Sequence, residues 1–80
     1  MTTNDHAVLV EAGAALFGER WQSELARAVS VSDRTMRRWV KDPHEIPAGV
    51  WGEIGQLLEA RRQVLADLSR KVSALRETRQ

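Results

Sequence analysis

Residues 22–39 read Gln22-Ser23-Glu24-Leu25-Ala26-Arg27-Ala28-Val29-Ser30-Val31-Ser32-Asp33-Arg34-Thr35-Met36-Arg37-Arg38-Trp39. Leu25, Ala26 and Val29 recur at three- and four-residue steps, as do Met36, Trp39 and Val40, so the stretch encodes two short amphipathic helices. Ser30-Val31-Ser32 turns the chain between them, and Ser32 is placed to accept from the amides that open the second helix. At about 100° per residue, Met36, Trp39 and Val40 share one face of that helix, while Arg34, Arg37, Arg38 and Lys41 fall within about 100° of one another on the other. One face packs and the other is strongly cationic.

The segments on either side are helical too. From Asp5 to Phe17 the residues Val8, Leu9, Ala12, Ala15 and Leu16 keep helical spacing, with Asn4 or Asp5 as cap and Gly18 as the stop. The second helix is expected from about Gln22 to Val29, without a hydroxyl cap, because Trp21 stands where Ser or Thr is usual. The third is expected from Asp33 to about Lys41. Pro43 and Pro47 bracket the connection Pro43-His44-Glu45-Ile46-Pro47; they cannot continue the third helix but suit the first turn of the next.

From Ala48 nothing stops a helix before about Thr78, and thirty residues make a rod about 45 Å long. Val50, Trp51, Ile54, Leu57 and Leu58 are expected to cover the first three helices. Leu65, Leu68, Val72 and Leu75 continue the stripe where no intramolecular partner remains. Ile54, Arg61, Leu68 and Leu75 keep a seven-residue step, and Leu58, Leu65 and Val72 keep it four residues later, the pattern of a helix seam. The segment after residue 58 can run straight or fold back as a fifth helix, and the lack of a breaker from Gln56 to Arg62 favours straight. Gly52 and Gly55 either weaken the helix by about 1 kcal/mol each, allowing a bend, or mark close packing. The expected organisation is a domain over residues 1–58 and a helical, dimerising extension over 59–80.

Eighty residues bury only about 60 to 65% of the surface exposed by the unfolded chain, so an extra copy helps complete the core. The absence of cysteine excludes disulfide staples, thiolate metal sites and thiol catalysis. Met1-Thr2-Thr3-Asn4-Asp5 carries no basic residue and precedes no long apolar run, so neither a signal peptide nor a membrane span is expected. A reducing cytoplasm fits these features. The net charge of +1 conceals a division: residues 20–41 carry six basic and two acidic side chains, the rest six basic and nine acidic. A positive face on a mildly acidic body suits a local anionic partner.

Competing readings are weaker. Trp39 and Trp51 lie on apolar helix faces and read as core, whereas Trp21 fits core or surface. His6 and His44, without clustered acids, make no metal site. No triad, carboxylate pair or glycine phosphate loop stands out, and Gly13, Gly18, Gly49, Gly52 and Gly55 match no nucleotide fingerprint, so neither catalysis nor a cofactor is expected. The C-terminal stripe lacks interfacial aromatics and its cations alternate with Glu59, Asp67 and Glu77, which favours helix pairing over membrane binding.

On these residues the chain resembles the helix-turn-helix proteins of the lambda repressor and Cro class. The resemblance is carried by Gln22 opening the first motif helix, the Leu25-Ala26 pair, Val29, Val31 after the turn, Met36 at the usual Ile/Val position and Trp39 at the end. The motif spans about residues 22–41, and the resemblance covers 16 to about 58. Small Ala26 lets the helices cross closely and Val31 plugs the turn. One departure is Ser30, where the family prefers glycine in a left-handed conformation; a non-glycine there costs on the order of 1 kcal/mol.

The resemblance implies an all-α, lambda-repressor-like domain whose second motif helix enters the major groove of double-stranded DNA. Carried over by position, Ser32, Asp33, Arg34, Thr35 and Arg38 are the expected base contacts, with Arg34 and Arg38 foremost, because a guanidinium fork matches guanine O6 and N7. Asp33 either accepts from a cytosine amine or holds Arg34 or Arg37, the second being favoured. Arg20, Gln22, Ser23, Arg37 and Lys41 are the expected phosphate contacts. Leu58, Leu65, Leu68, Val72 and Leu75 are the expected dimer interface. The implied function is a homodimeric repressor of an inverted-repeat operator, acting on its own promoter, similar to prophage regulators, antitoxins and anti-CRISPR-associated repressors. The alternative is a protein-interaction module, an antitoxin or inhibitor, in which the motif is only a scaffold and the long helix binds a heterologous protein.

Overall fold

A computed structural model describes residues 4–79, so the Met1-Thr2-Thr3 start lies outside it. The described residues form four helices, α1 (Asp5–Phe17), α2 (Trp21–Ala28), α3 (Asp33–Lys41) and α4 (Ala48–Thr78), with a 3₁₀ turn over Pro43–Glu45 and no strand. Each boundary has a local cause. Asn4 accepts the Ala7 amide on its Oδ1 at 3.1 Å to open α1. Gly18, with φ at 84°, closes it by donating its amide to the Ala14 carbonyl. Ser32 accepts the Thr35 amide at 3.1 Å and donates its hydroxyl to Thr35 Oγ1 at 3.0 Å, which opens α3.

Helix α2 starts at Trp21, one residue before the expected Gln22, and Arg20 at its cap supplies no side-chain bond. The indole explains the earlier start: Trp21 is 5% exposed and packs into the core. Its nearest obligate neighbour is Gly13 of α1, where a Cβ would stand 2.8 Å from Trp21 Cγ and closer still to the fused ring. The inward face of α1 is accordingly Leu9, Ala12, Gly13 and Leu16, whereas the expected Val8 and Ala15 are exposed. Glycine, invisible to a hydrophobic pattern, sets how closely α1 and α2 approach.

The α2–α3 turn closes with two hydrogen bonds that neutralise the last carbonyls of α2. The Ser30 amide donates to the Arg27 carbonyl at 3.2 Å and the Val31 amide to that of Ala26 at 2.9 Å. This is the Schellman arrangement, and it requires the residue between to be left-handed. Ser30 is that residue, with φ at 61°. Relieving the steric penalty of a Cβ there outweighs the extra freedom glycine gives the unfolded chain. Ser30→Gly is expected to stabilise by about 0.5 to 1 kcal/mol, read as a higher urea midpoint at unchanged slope.

Leu9, Leu25 and Met36 are the largest fully buried side chains, and Trp39, Ile46 and Ile54 complete the core around them. Ile46 is delivered by the proline-bracketed 3₁₀ turn, whose backbone lies against α1 and α3. Helix α4 approaches α1 alone among the other helices. Only Ile54 of α4 is buried, while Val50, Trp51 and Leu57 pack half-buried at the margin. Trp51 therefore lies at the margin of the core rather than within it, and Leu58, expected to join the cover, is exposed.

Helix α4 runs unbroken past Gly52 and Gly55, and nothing lies within 4 Å of a Cβ built at either. They do not mark close packing. Beyond the body, α4 is tied back by Arg61, whose Nη2 donates to the carbonyl of Leu16 at 2.9 Å. That bond satisfies a C-terminal carbonyl of α1, which a helix end leaves without an intrahelical partner. Past Arg61 the helix projects freely, giving a molecule of 51 × 31 × 20 Å with a radius of gyration of 15.9 Å. A compact chain of this length has about 12 Å. No helix among the described residues is long and apolar enough to cross a membrane.

Candidate functional site

Helix α3 has its apolar side locked by Met36 and Trp39, both buried. The opposite side is therefore fixed outward, and Arg34, Arg37, Arg38 and Lys41 together line a shallow hollow of about 340 Å³ there. All four are exposed. Four cations around one concavity, carried on a helix whose orientation the core dictates, form an electrostatic trap for a polyanion.

The four are not equivalent. Arg38 donates from Nε to Glu45 Oε2 at 2.8 Å, and its Nη amines make no hydrogen bond within the described chain. Glu45 reaches Arg38 because the 3₁₀ turn folds the chain back beneath α3. An ion pair this exposed contributes about 0 to 1 kcal/mol to stability, but it leaves the Nη edge of the guanidinium free for a planar acceptor. Asp33, expected to hold Arg34 or Arg37, makes no ion pair among the described residues. It stands instead in the first turn of α3, where a negative charge complements the amide end of the helix. That expectation is corrected, and Glu45 takes the positioning place.

The other anticipated residues divide by location. Ser32 donates its hydroxyl to Thr35 Oγ1 at the cap, and Thr35 is half-buried. Ser32 remains exposed at the start of α3. Arg20, Gln22 and Ser23 stand exposed at the opening of α2 and do not line the hollow. Arg27 is engaged by Glu24 at 2.7 Å along α2.

Leu58, Leu65, Leu68, Val72 and Leu75 form a second exposed surface along α4, with Leu65 57% and Val72 55% exposed. Val64, which the seven-residue pattern passes over, joins it at 53%. Ion pairs Arg62–Glu59 and Arg70–Asp67 flank this stripe. Hydrogen bonding to Arg62 holds the Glu59 carboxyl below its ordinary pKa, and Glu59 in turn raises that of Arg62. Both pairs are solvated and neither enters the hollow on α3.

Glu45 and Arg61 escaped sequence reading. A proline-led turn seven residues after Arg38 signals the first only once the turn is known to reverse. The second lies 45 positions from its acceptor and leaves no periodic trace. Among the described residues no three His, Cys, Asp or Glu side chains gather as a metal site. His44 lies 3.8 Å from Asp5 at the surface. Compared with known proteins, the chain matches no family model, no curated protein and no solved structure.

Proposed function

We propose that the chain is a lambda-repressor-like helix-turn-helix regulator that binds double-stranded DNA with α3 in the major groove. It acts as a homodimer on an inverted-repeat operator and represses its own promoter in a bacterial or phage-infected cytoplasm. The observation that carries this reading is the hollow of Arg34, Arg37, Arg38 and Lys41 on the outward face of α3. It is supported by the Schellman turn, which sets α3 against α2 with Ser30 in the left-handed position. Arg34 and Arg38 read base edges, and Arg37, Lys41 and the opening of α2 hold phosphates.

Selection of the protein against a random duplex library at about 150 mM salt, where phosphate attraction is already weakened, tests the reading. An enriched inverted repeat supports it and enrichment of nothing overturns it. Two substitutions then divide the roles. Arg38→Ala is expected to weaken the selected site by about 1 to 3 kcal/mol and to relax preference at one base pair. Lys41→Ala is expected to weaken all duplexes alike and flatten the salt slope by about one unit.

The exposed apolar stripe of α4 also favours a second reading, a module that holds a toxin, nuclease or polymerase subunit. If neither substitution alters DNA affinity, that reading takes over.

A further inference from the structure

The chain has more surface than its mass requires. It exposes 6211 Å², whereas a compact monomer of 9.0 kDa exposes about 4,900 Å². The surplus, about 1,300 Å², exceeds the roughly 800 Å² that each partner buries in a standard interface. The projecting half of α4 exposes Val64, Leu65, Leu68, Val72 and Leu75, and this apolar face continues into an open groove of about 360 Å³ lined by Leu16, Phe17, Leu57, Ala60, Arg61 and Val64. Groove and free helix face are continuous along one side of one helix. Whatever covers one meets the other.

We infer that the occupant is α4 of a second copy, running antiparallel, so that each helix end fills the groove of its partner. This rests on the dimeric reading above and adds its direction and register. In a two-stranded seam, Leu58, Leu65 and Val72 take one core position and Arg61, Leu68 and Leu75 the other. A parallel pair sets equivalent residues opposite each other, which places the two Arg61 guanidinium stems face to face in the core. It also puts Lys71 beside the partner's Arg76 on both flanks. Like charges opposed in this way are destabilising.

The antiparallel pair removes all three conflicts. Leu58 meets the partner's Leu75, Leu65 meets the partner's Leu68, and Arg61 meets the partner's Val72. Arg61 tolerates this position because its head already donates to the Leu16 carbonyl, leaving its aliphatic stem to pack. On the flanks Val64 gains the stem of the partner's Lys71, and Arg62 faces the partner's Ser69. Each apolar side chain of the projecting helix acquires an apolar neighbour.

The register also has a consequence for spacing. With the two-fold axis midway between Ala66 and Asp67, Ile54 lies level with residue 79 of the other copy. Twenty-five residues of helix separate the two bodies by about 38 Å along the seam.

The natural lack of cysteine makes the direction directly measurable. Leu58→Cys and Leu75→Cys are prepared as separate full-length proteins, each checked for native helicity, and equilibrated in a glutathione redox buffer alone and mixed. Antiparallel pairing brings these positions within disulfide reach only across the mixture, so a cross-linked dimer is expected in the mixed sample and not in either alone. Cross-linking of each variant with itself overturns the antiparallel register while leaving a dimeric regulator. No cross-link in any sample, with wild type sedimenting as a monomer at 50-fold the concentration used for DNA selection, overturns self-pairing and assigns the face to a different protein. Library selection on wild type tests the DNA reading independently, since an enriched site survives either failure.

Discussion

Trp21→Ala is expected to remove about 3 to 5 kcal/mol of stability, and Gly13→Ala, a change of one methyl group, about 2 kcal/mol. The first figure is the usual cost of deleting a buried indole, here one that is 5% exposed between α1 and α2. For a chain this short, whose whole stability is about 4 to 12 kcal/mol, it leaves little. The second balances two opposing effects. Alanine raises helix propensity by about 1 kcal/mol over glycine, but its Cβ lands against Trp21 Cγ at 2.8 Å and nearer to the fused ring. The ring is walled in by the core, so the overpacking penalty takes the upper end of its range of about 1 to 3 kcal/mol.

The double variant decides whether that account is correct. With the indole gone the added methyl has room, so Gly13→Ala in the Trp21→Ala background is expected to stabilise rather than destabilise. The sign reversal gives a coupling of about 2 to 3 kcal/mol, measurable by urea unfolding of the four proteins. An equal loss in both backgrounds would mean that glycine is required for some reason other than Trp21.

The same pair of residues shows where a sequence is readable and where it is not. Helix existence was legible throughout, because periodic apolar residues, Asn4, Gly18 and Ser32 each carry a local signal, and α1, α3 and α4 fall where those signals place them. The cationic face of α3 was legible for the same reason: a helix with Met36 and Trp39 inward has only one side left for Arg34, Arg37, Arg38 and Lys41. Gly13 was not, since a missing side chain leaves no mark in a hydrophobic pattern and acquires meaning only when another helix comes close. Arg61 read as one step of the seven-residue repeat, yet its guanidinium donates to a carbonyl in the last turn of α1. Trp51 read as core from its helix face, but how much of a face is covered depends on how many neighbours the helix crosses. Glu45 became visible only with the turn that carries it to Arg38.

If the chain pairs as proposed, Leu68→Asp is expected to abolish the dimer while leaving the fold of each chain intact. Leu68 is 48% exposed in the single chain, and a carboxylate there remains solvated, so helicity of the diluted protein is expected to match wild type. Pairing changes this. Two-fold symmetry places both new carboxylates in the middle of the seam, each against an apolar side chain with only the flanking Lys71 of its own helix within reach, and the effective cost is up to several kcal/mol per ion. Even about 4 kcal/mol in total raises the dissociation constant roughly 1,000-fold, which sedimentation across a concentration series detects directly. Leu68→Met, similar in volume, is the control and is expected to cost under about 1.5 kcal/mol. On DNA, losing the tether between half-sites forfeits an avidity of about 10² to 10⁴, while contacts within one half-site stay as they were. Base preferences should therefore persist at reduced affinity. Loss of preference along with affinity would show that α4 does more than join two readers, because α3 would then depend on the partner for its placement.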